Sequence, residues 1–133
     1  MARKVKRGAK EKMKYKFEIK QRLPSYNEYS NTNRKNKYAG AKMKKDIELQ
    51  IWSYIVNELK TVKIHKPVFM TFTWVEENKK RDLDNICFAK KFILDALQKA
   101  GVLENDNCSH VTGFTDLFEY SDKSKVIVKL EEI

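Results

Sequence analysis

No apolar run in this 133-residue sequence approaches transmembrane length, which argues against a span across a bilayer. The N-terminus is too charged for a signal peptide and has no apolar h-region, so a cytoplasmic location is expected. Only two cysteines are present, Cys87 and Cys108, too few for a disulfide framework. With His65 and His110 they allow a Cys₂His₂ zinc site by count, but the spacing fits no zinc pattern. Acid is scarce in the N-terminal third. Residues 1–45 hold 16 Lys or Arg against 3 acidic residues, a net of +13, whereas residues 46–133 hold 12 against 15, a net of −3. That asymmetry points to a polyanionic partner, most simply DNA or RNA. The basic third shows no sustained amphipathic helix, which argues against an acidic membrane surface.

Hydrophobic residues make up 41% of the chain, enough for one core in one domain. Residues 1–12 read as a disordered basic arm, either a solubilising tail or a DNA contact. Tyr15, Phe17 and Ile19 alternate with lysines, a first strand with one buried face. Leu23-Pro24-Ser25 stops it, and residues 24–37 read as a long polar loop. In that loop Tyr26, Tyr29 and Tyr38 mingle with Arg34, Lys35 and Lys37. Such a mixture either stacks on bases or packs the loop down on itself. Ile47, Ile51, Ile55 and Leu59 give a helix over about 39–60, with Lys42 in its first turns. A strand over 68–75 and a helix from about Leu83 to Lys99 follow, the latter stopped at Gly101. Two more strands, about 111–120 and 125–130, are expected to form a hairpin through Ser121-Asp122-Lys123-Ser124. The expected architecture is therefore α+β: a single small domain with a mixed β-sheet, two main helices packed on it and the order β-α-β-α-β-β.

The chemistry concentrates in Lys79-Lys80-Arg81-Asp82-Leu83-Asp84-Asn85. Two carboxylates sit two residues apart, and Asp106 follows the next helix. Carboxylates of this kind can hold Mg²⁺, and a basic protein holding such a metal suits hydrolysis of a nucleic-acid phosphodiester. On a continuous helical wheel Ile86, Ala89, Ile93, Ala96, Leu97 and Ala100 form the core face. Asp84, Phe88, Lys91 and Asp95 share the opposite face, while Lys90 points to one flank of the core. Asp106 starts about 24 Å from Asp84 by helix rise alone and must fold back to join it. Plain structural roles compete with this reading: Asp82 or Asp84 as an N-cap, Asn105-Asp106-Asn107 as turn chemistry, and Lys91 with Asp95 as a surface ion pair.

The segment from Lys80 to Asn107 resembles the RusA family of Holliday junction resolvases, found often in phages and prophages. The matching residues are Arg81-Asp82-Leu83-Asp84-Asn85, Leu94-Asp95-Ala96-Leu97, Ala100-Gly101-Val102 and Asn105-Asp106. Leu23-Pro24-Ser25-Tyr26-Asn27 and Asn33-Arg34 resemble the family's N-terminal loop. The resemblance implies a homodimer that nicks two strands of a four-way DNA junction symmetrically, with Mg²⁺ or Mn²⁺, in a bacterial or phage-infected host cell. It implies Asp82, Asp84 and Asp106 as metal-binding catalytic residues. It also implies a catalytic lysine on the intervening helix, at Lys91 counting back from Leu94-Asp95-Ala96-Leu97 but at Phe88 counting forward from Asp84. About three extra residues early in the helix account for the difference, and Lys90 is the neighbouring candidate. Arg34, Lys35, Lys37, Lys42, Lys79, Lys80 and Arg81 are the expected DNA contacts. The competing functions are a non-catalytic nucleic-acid binder and a basic virion or host-interaction protein.

Overall fold

A computed structural model describes residues 12–133. The basic arm expected over 1–12 therefore lies, Lys12 apart, outside the described residues. The elements are β1 (Lys14–Ile19), α1 (Tyr26–Lys35), α2 (Lys37–Leu59), β2 (Val68–Glu76), α3 (Leu83–Cys87), α4 (Lys90–Lys99), β3 (Val111–Tyr120) and β4 (Lys125–Glu132). The four strands form one mixed sheet in the order β1-β4-β2-β3. β2 and β3 run parallel, joined through α3 and α4, while β4 is antiparallel to both β1 and β2. The alternation in β1 holds: Phe17 and Ile19 are fully buried beside Val128 and Val126 of β4, which face Phe72 and Trp74 of β2. Ile51 and Ile55 of α2 and Phe92, Ile93 and Leu97 of α4 complete this core. The class is α+β, as the alternation of strands and helices led us to expect.

Three local expectations are corrected. Residues 26–35 are a helix, not a loop. α1 buries none of its own residues, so it lacks the apolar stripe that marks a helix in sequence. Its start is made by a capping box: Ser25 Oγ accepts from the Glu28 N–H at 3.2 Å and Glu28 Oε1 accepts from the Ser25 N–H at 2.8 Å. Ser25-x-x-Glu28 is the sequence signal for that start. Asn36 then ends α1 and caps α2, its Oδ1 accepting from the Tyr38 N–H at 2.8 Å. α1 folds back closely on α2 at Gly40, where an added Cβ would lie 2.9 Å from Asn33 Cα.

β3 and β4 are not a hairpin, because β2 lies between them. β4 pairs on both sides, burying Val126, Val128 and Leu130, which a hairpin at the sheet edge would leave half-covered. The 121–124 connection passes the end of β2, where the Ser121 N–H donates to the Glu76 carbonyl at 2.9 Å. The helix expected over 83–99 is broken after Cys87. Three bonds of the tighter i→i−3 kind link Ala89 to Ile86, Lys91 to Phe88 and Phe92 to Ala89.

Candidate active site

The segment before α3 is tied down by Arg81. Its guanidinium makes a two-pronged contact with Glu76, Nε to Oε1 at 3.0 Å and Nη2 to Oε2 at 2.7 Å, and donates to the Leu23 carbonyl at 3.0 Å. A fork of this kind is rigid as well as strong, and it sets the backbone that carries Asp82 and Asp84. The Arg81 side chain is only 15% exposed. It was expected to contact DNA, and its donors instead serve Glu76, Leu23 and, at 3.5 Å, Glu28. Burial would raise the Glu28 carboxyl. The Ser25 N–H, the Arg22 guanidinium and the Ser25 hydroxyl outweigh it and hold the group below the ordinary glutamate range.

Asp82 is the N-cap of α3, its carbonyl accepting from the Ile86 N–H at 3.1 Å, yet its side chain makes no capping bond. Asp84 Oδ1 accepts one bond, from the Asn85 N–H at 3.0 Å. Both aspartates are exposed. Capping therefore does not use up either carboxylate. The same holds after α4. The helix ends in a Schellman turn at Gly101 (φ 77°), with Val102 N–H to the Leu97 carbonyl and Gly101 N–H to the Gln98 carbonyl, both 3.0 Å. In the next turn the amides that do the folding are Asn105 and Asn107. Asn105 Oδ1 accepts from the Asp106 and Asn107 N–H groups at 2.7 and 3.1 Å, and Asn107 Oδ1 from the Ser109 N–H at 3.0 Å. The Asp106 carboxylate is left over. It lies beside α4, its Oδ2 4.0 Å from Lys91 Nζ, the same ammonium that lies 3.4 Å from Asp95 Oδ1.

The two lysines at the start of α4 part company. Lys90 turns inward: Nζ donates to Asp116 Oδ2 of β3 at 2.8 Å and lies 4.5 Å from the Phe114 ring centre, while the Trp74 indole N–H donates to Asp116 Oδ1 at 2.9 Å. Lys91 turns outward to Asp95 and Asp106. A continuous wheel had placed Phe88 beside Asp84 and Lys91. The break resets the register, since i→i−3 turns advance about 120° per residue rather than about 100°. Phe88 instead packs against Tyr26, Tyr29 and Phe92, with ring centres 5.1, 5.8 and 5.5 Å away, which pins α1 to the α3–α4 junction. Burial, then the Asp116 charge, push the Cys87 thiol up against the opposing pull of Lys90. Asp116 is the residue near this site that sequence reading missed. Only the β2–β3 register, which sets Asp116 beside Phe72, reveals it.

Among the described residues, no three Asp, Glu, His or Cys side chains gather closely enough to hold one ion. The donor chemistry of Asp82, Asp84 and Asp106 nevertheless fits a hard divalent cation. Mg²⁺ takes one or two carboxylates and fills its shell with water and phosphate. The expected DNA contacts divide. Arg34 and Lys35 in the last turn of α1, and Lys37 at the start of α2, are exposed. Lys79 and Lys80 are exposed on the loop before Asp82, Lys79 lying over the Tyr120 ring at 5.2 Å. Lys42 donates to Asp46 at 2.7 Å.

No curated protein matches the chain in sequence. Among the described residues no helix is long and apolar enough to cross a membrane. The family model of endodeoxyribonuclease RusA matches residues 2–131, from ahead of β1 to the end of β4. With nearly its whole length matched, including both aspartate segments and the broken helix between them, the chain belongs to the RusA family of Holliday junction-resolving endodeoxyribonucleases.

Proposed function

We propose that this protein is a Mg²⁺-dependent endonuclease that resolves four-way DNA junctions by paired symmetric nicks, with Mn²⁺ able to substitute. The observation that carries the reading is the approach of Asp106 to Lys91 across the length of sequence that separates them, its Oδ2 4.0 Å from the Lys91 ammonium and its carboxylate unused by the surrounding turn. Asp82, Asp84 and Asp106 are the residues that would hold the metal. A divalent cation would offset the negative charge that these carboxylates bring to a phosphate-binding surface. When bound it neutralises phosphate charge and lowers the pKa of coordinated water. Lys91 faces the scissile phosphate and steadies the negative charge that builds on it. Water attacks phosphorus in line, the 3′ oxygen leaves, and the products carry 5′-phosphate and 3′-hydroxyl ends. Arg81 acts from inside the protein, holding the Asp82–Asp84 segment in place.

Arg34, Lys35, Lys37, Lys79 and Lys80 contact DNA phosphates, with Lys42 at the margin of that surface. Phosphate contacts of this kind supply affinity and register rather than sequence choice. Opposed nicks in one binding event need two sites, which a two-fold homodimer provides. One edge of the sheet supports this assembly. β3 pairs on one side only, and Phe114, Leu117 and Tyr120 stay exposed on it. Such an edge lacks the lysines that usually guard edges, whereas β1, the other edge, carries exposed Lys14 and Lys16. The test is a synthetic four-way junction incubated with the protein, with Mg²⁺ and with chelator. Paired nicks that need the metal are expected. Junction binding without cleavage in either condition would leave a non-catalytic nucleic-acid binder.

A further inference from the structure

Asp95 belongs to none of the roles above. As an i,i+4 partner of Lys91 it would be a surface pair worth about 0.3–0.5 kcal/mol. Its surroundings are different. The Asp95 side chain is only 20% exposed, and its two oxygens face two helices. Oδ1 lies 3.4 Å from Lys91 Nζ on its own helix, and Oδ2 lies 3.7 Å from Lys44 Nζ on α2. Lys44 in turn lies 3.8 Å from Glu48 Oε2, and Lys99 lies 3.5 Å from Glu48 Oε1. Glu48 is an unusual residue for a core, its side chain 8% exposed and its Oε2 without a hydrogen bond among the described residues. The charges alternate along one line: Lys99, Glu48, Lys44, Asp95, Lys91, Asp106.

We infer that Asp95 is a positioning residue for Lys91, clamped by Lys44 so that it fixes the Lys91 ammonium beside Asp106. The physical need is plain. The Lys91 side chain is 58% exposed, and a free lysine spreads over many rotamers, with about 2 kcal/mol of side-chain entropy to lose. A carboxylate held from its far side by a second helix narrows that spread before DNA arrives. Buried Glu48 anchors the line, because with Lys44 and Lys99 both beside it, Lys44 is drawn towards α4 rather than out to solvent. In this assignment Asp95 acts through Lys91, the ammonium it holds 3.4 Å away, and not on the phosphate itself. The inference rests on the reading that Lys91 acts on the phosphate.

The test uses the full chain and a synthetic four-way junction. Asp95→Asn keeps the shape and removes the charge. It is expected to lower kcat for junction cleavage by roughly tenfold to a hundredfold, the scale of a misplaced group. KM and metal-free junction binding should stay within about twofold of wild type, and Asp95→Glu should recover most of kcat. Combined with Lys91→Ala it should add nothing. Lys44→Met, at the far side of the clamp, should give a smaller loss in kcat of the same kind. A purely structural role predicts otherwise: a lower melting temperature, and losses from Asp95→Asn and Lys91→Ala that multiply. That result overturns the inference, as does wild-type kcat in Asp95→Asn while Lys91→Ala is inactive. If Lys91→Ala itself cleaves at the wild-type rate, the reading of Lys91 fails first and Asp95 has nothing to position.

Discussion

Lys90 on α4 donates to Asp116 on β3 at 2.8 Å, while its neighbour Lys91 points the other way, to Asp106. One residue of offset thus separates a structural lysine from a candidate catalytic one. Lys91→Ala is expected to cut turnover by a factor of about 10²–10³ and leave thermal stability near wild type, because Lys91 is exposed. Lys90→Ala should show the opposite balance. It takes the ammonium from half-buried Asp116, so that Oδ2 loses its partner while Trp74 still serves Oδ1, and such a loss costs about 1–3 kcal/mol. Melting curves and initial cleavage rates on both variants separate the two roles. A slow but stable Lys90→Ala protein would reverse the assignment.

The aspartates give the second prediction. Asp82→Asn, Asp84→Asn and Asp106→Asn should each abolish cleavage while junction binding in chelator persists or tightens, since each removes negative charge near the phosphates and keeps shape. None of the three carboxylates supports a helix cap or turn beyond the single Asp84 to Asn85 contact, so the melting temperature should hardly move. Wild-type rates in any one variant would remove that residue from the ligand set.

How far the sequence went can be argued from particular residues. Alternation placed Phe17 and Ile19 inside, and the wheel placed Ile86, Ala89, Ile93, Ala96 and Leu97 inside, because burial follows a period that neighbours in sequence share. Gly101 was legible because a helix stop with positive φ is a local event. α1 was missed because it buries nothing and is begun by two polar side chains. The order of β3 and β4 was missed because a four-residue connection looks the same whether it joins neighbours or passes an intervening strand. The inward turn of Lys90 was half legible. Its flank position was read, but its partner Asp116 is reached only through the sheet register. The candidate site lay in sequence order as aspartates about a helix, and the approach of Asp106 to Lys91 could come only from the fold.

The capping box makes a stability prediction that depends on pH. The Glu28 carboxyl is held below its ordinary range in the fold. A depressed carboxyl contributes stability that is fully present above the unfolded value and is lost as pH falls through the folded value. Glu28→Gln should therefore be less stable than wild type at neutral pH, and the gap should close as pH drops below the ordinary glutamate range. Ser25→Ala removes the other half of the box and should cost about 1 kcal/mol at neutral pH. Urea melts at pH 7 and pH 3 check both. A Glu28→Gln deficit unchanged at pH 3 would mean that packing, not charge, is what the substitution disturbs.

The last prediction joins assembly to salt. If β3 edges meet about a two-fold axis, a charge placed on that strand should split the dimer. Leu117 is exposed on β3 and lies away from the Lys90–Asp116 pair, on the face of the sheet that Thr73 shares by register. Leu117→Lys should therefore give a folded monomer by light scattering at micromolar concentration. Such a monomer should still bind a junction weakly but should nick one strand at a time, so paired nicks become two separate single nicks. Wild-type affinity should fall steeply with salt. With about six phosphates neutralised, the slope of log K against log salt is roughly −5. The net +13 of residues 1–45 motivates that number, and deleting residues 1–12 should make the slope shallower. Preference for a junction over plain duplex should survive the deletion, because a junction is selected by shape and two-fold symmetry whereas charge acts on any DNA. A wild-type protein that is monomeric yet still makes paired nicks within one binding event would refute the two-site argument. Equal affinity for duplex and junction at moderate salt would reduce the basic surface to a general DNA binder.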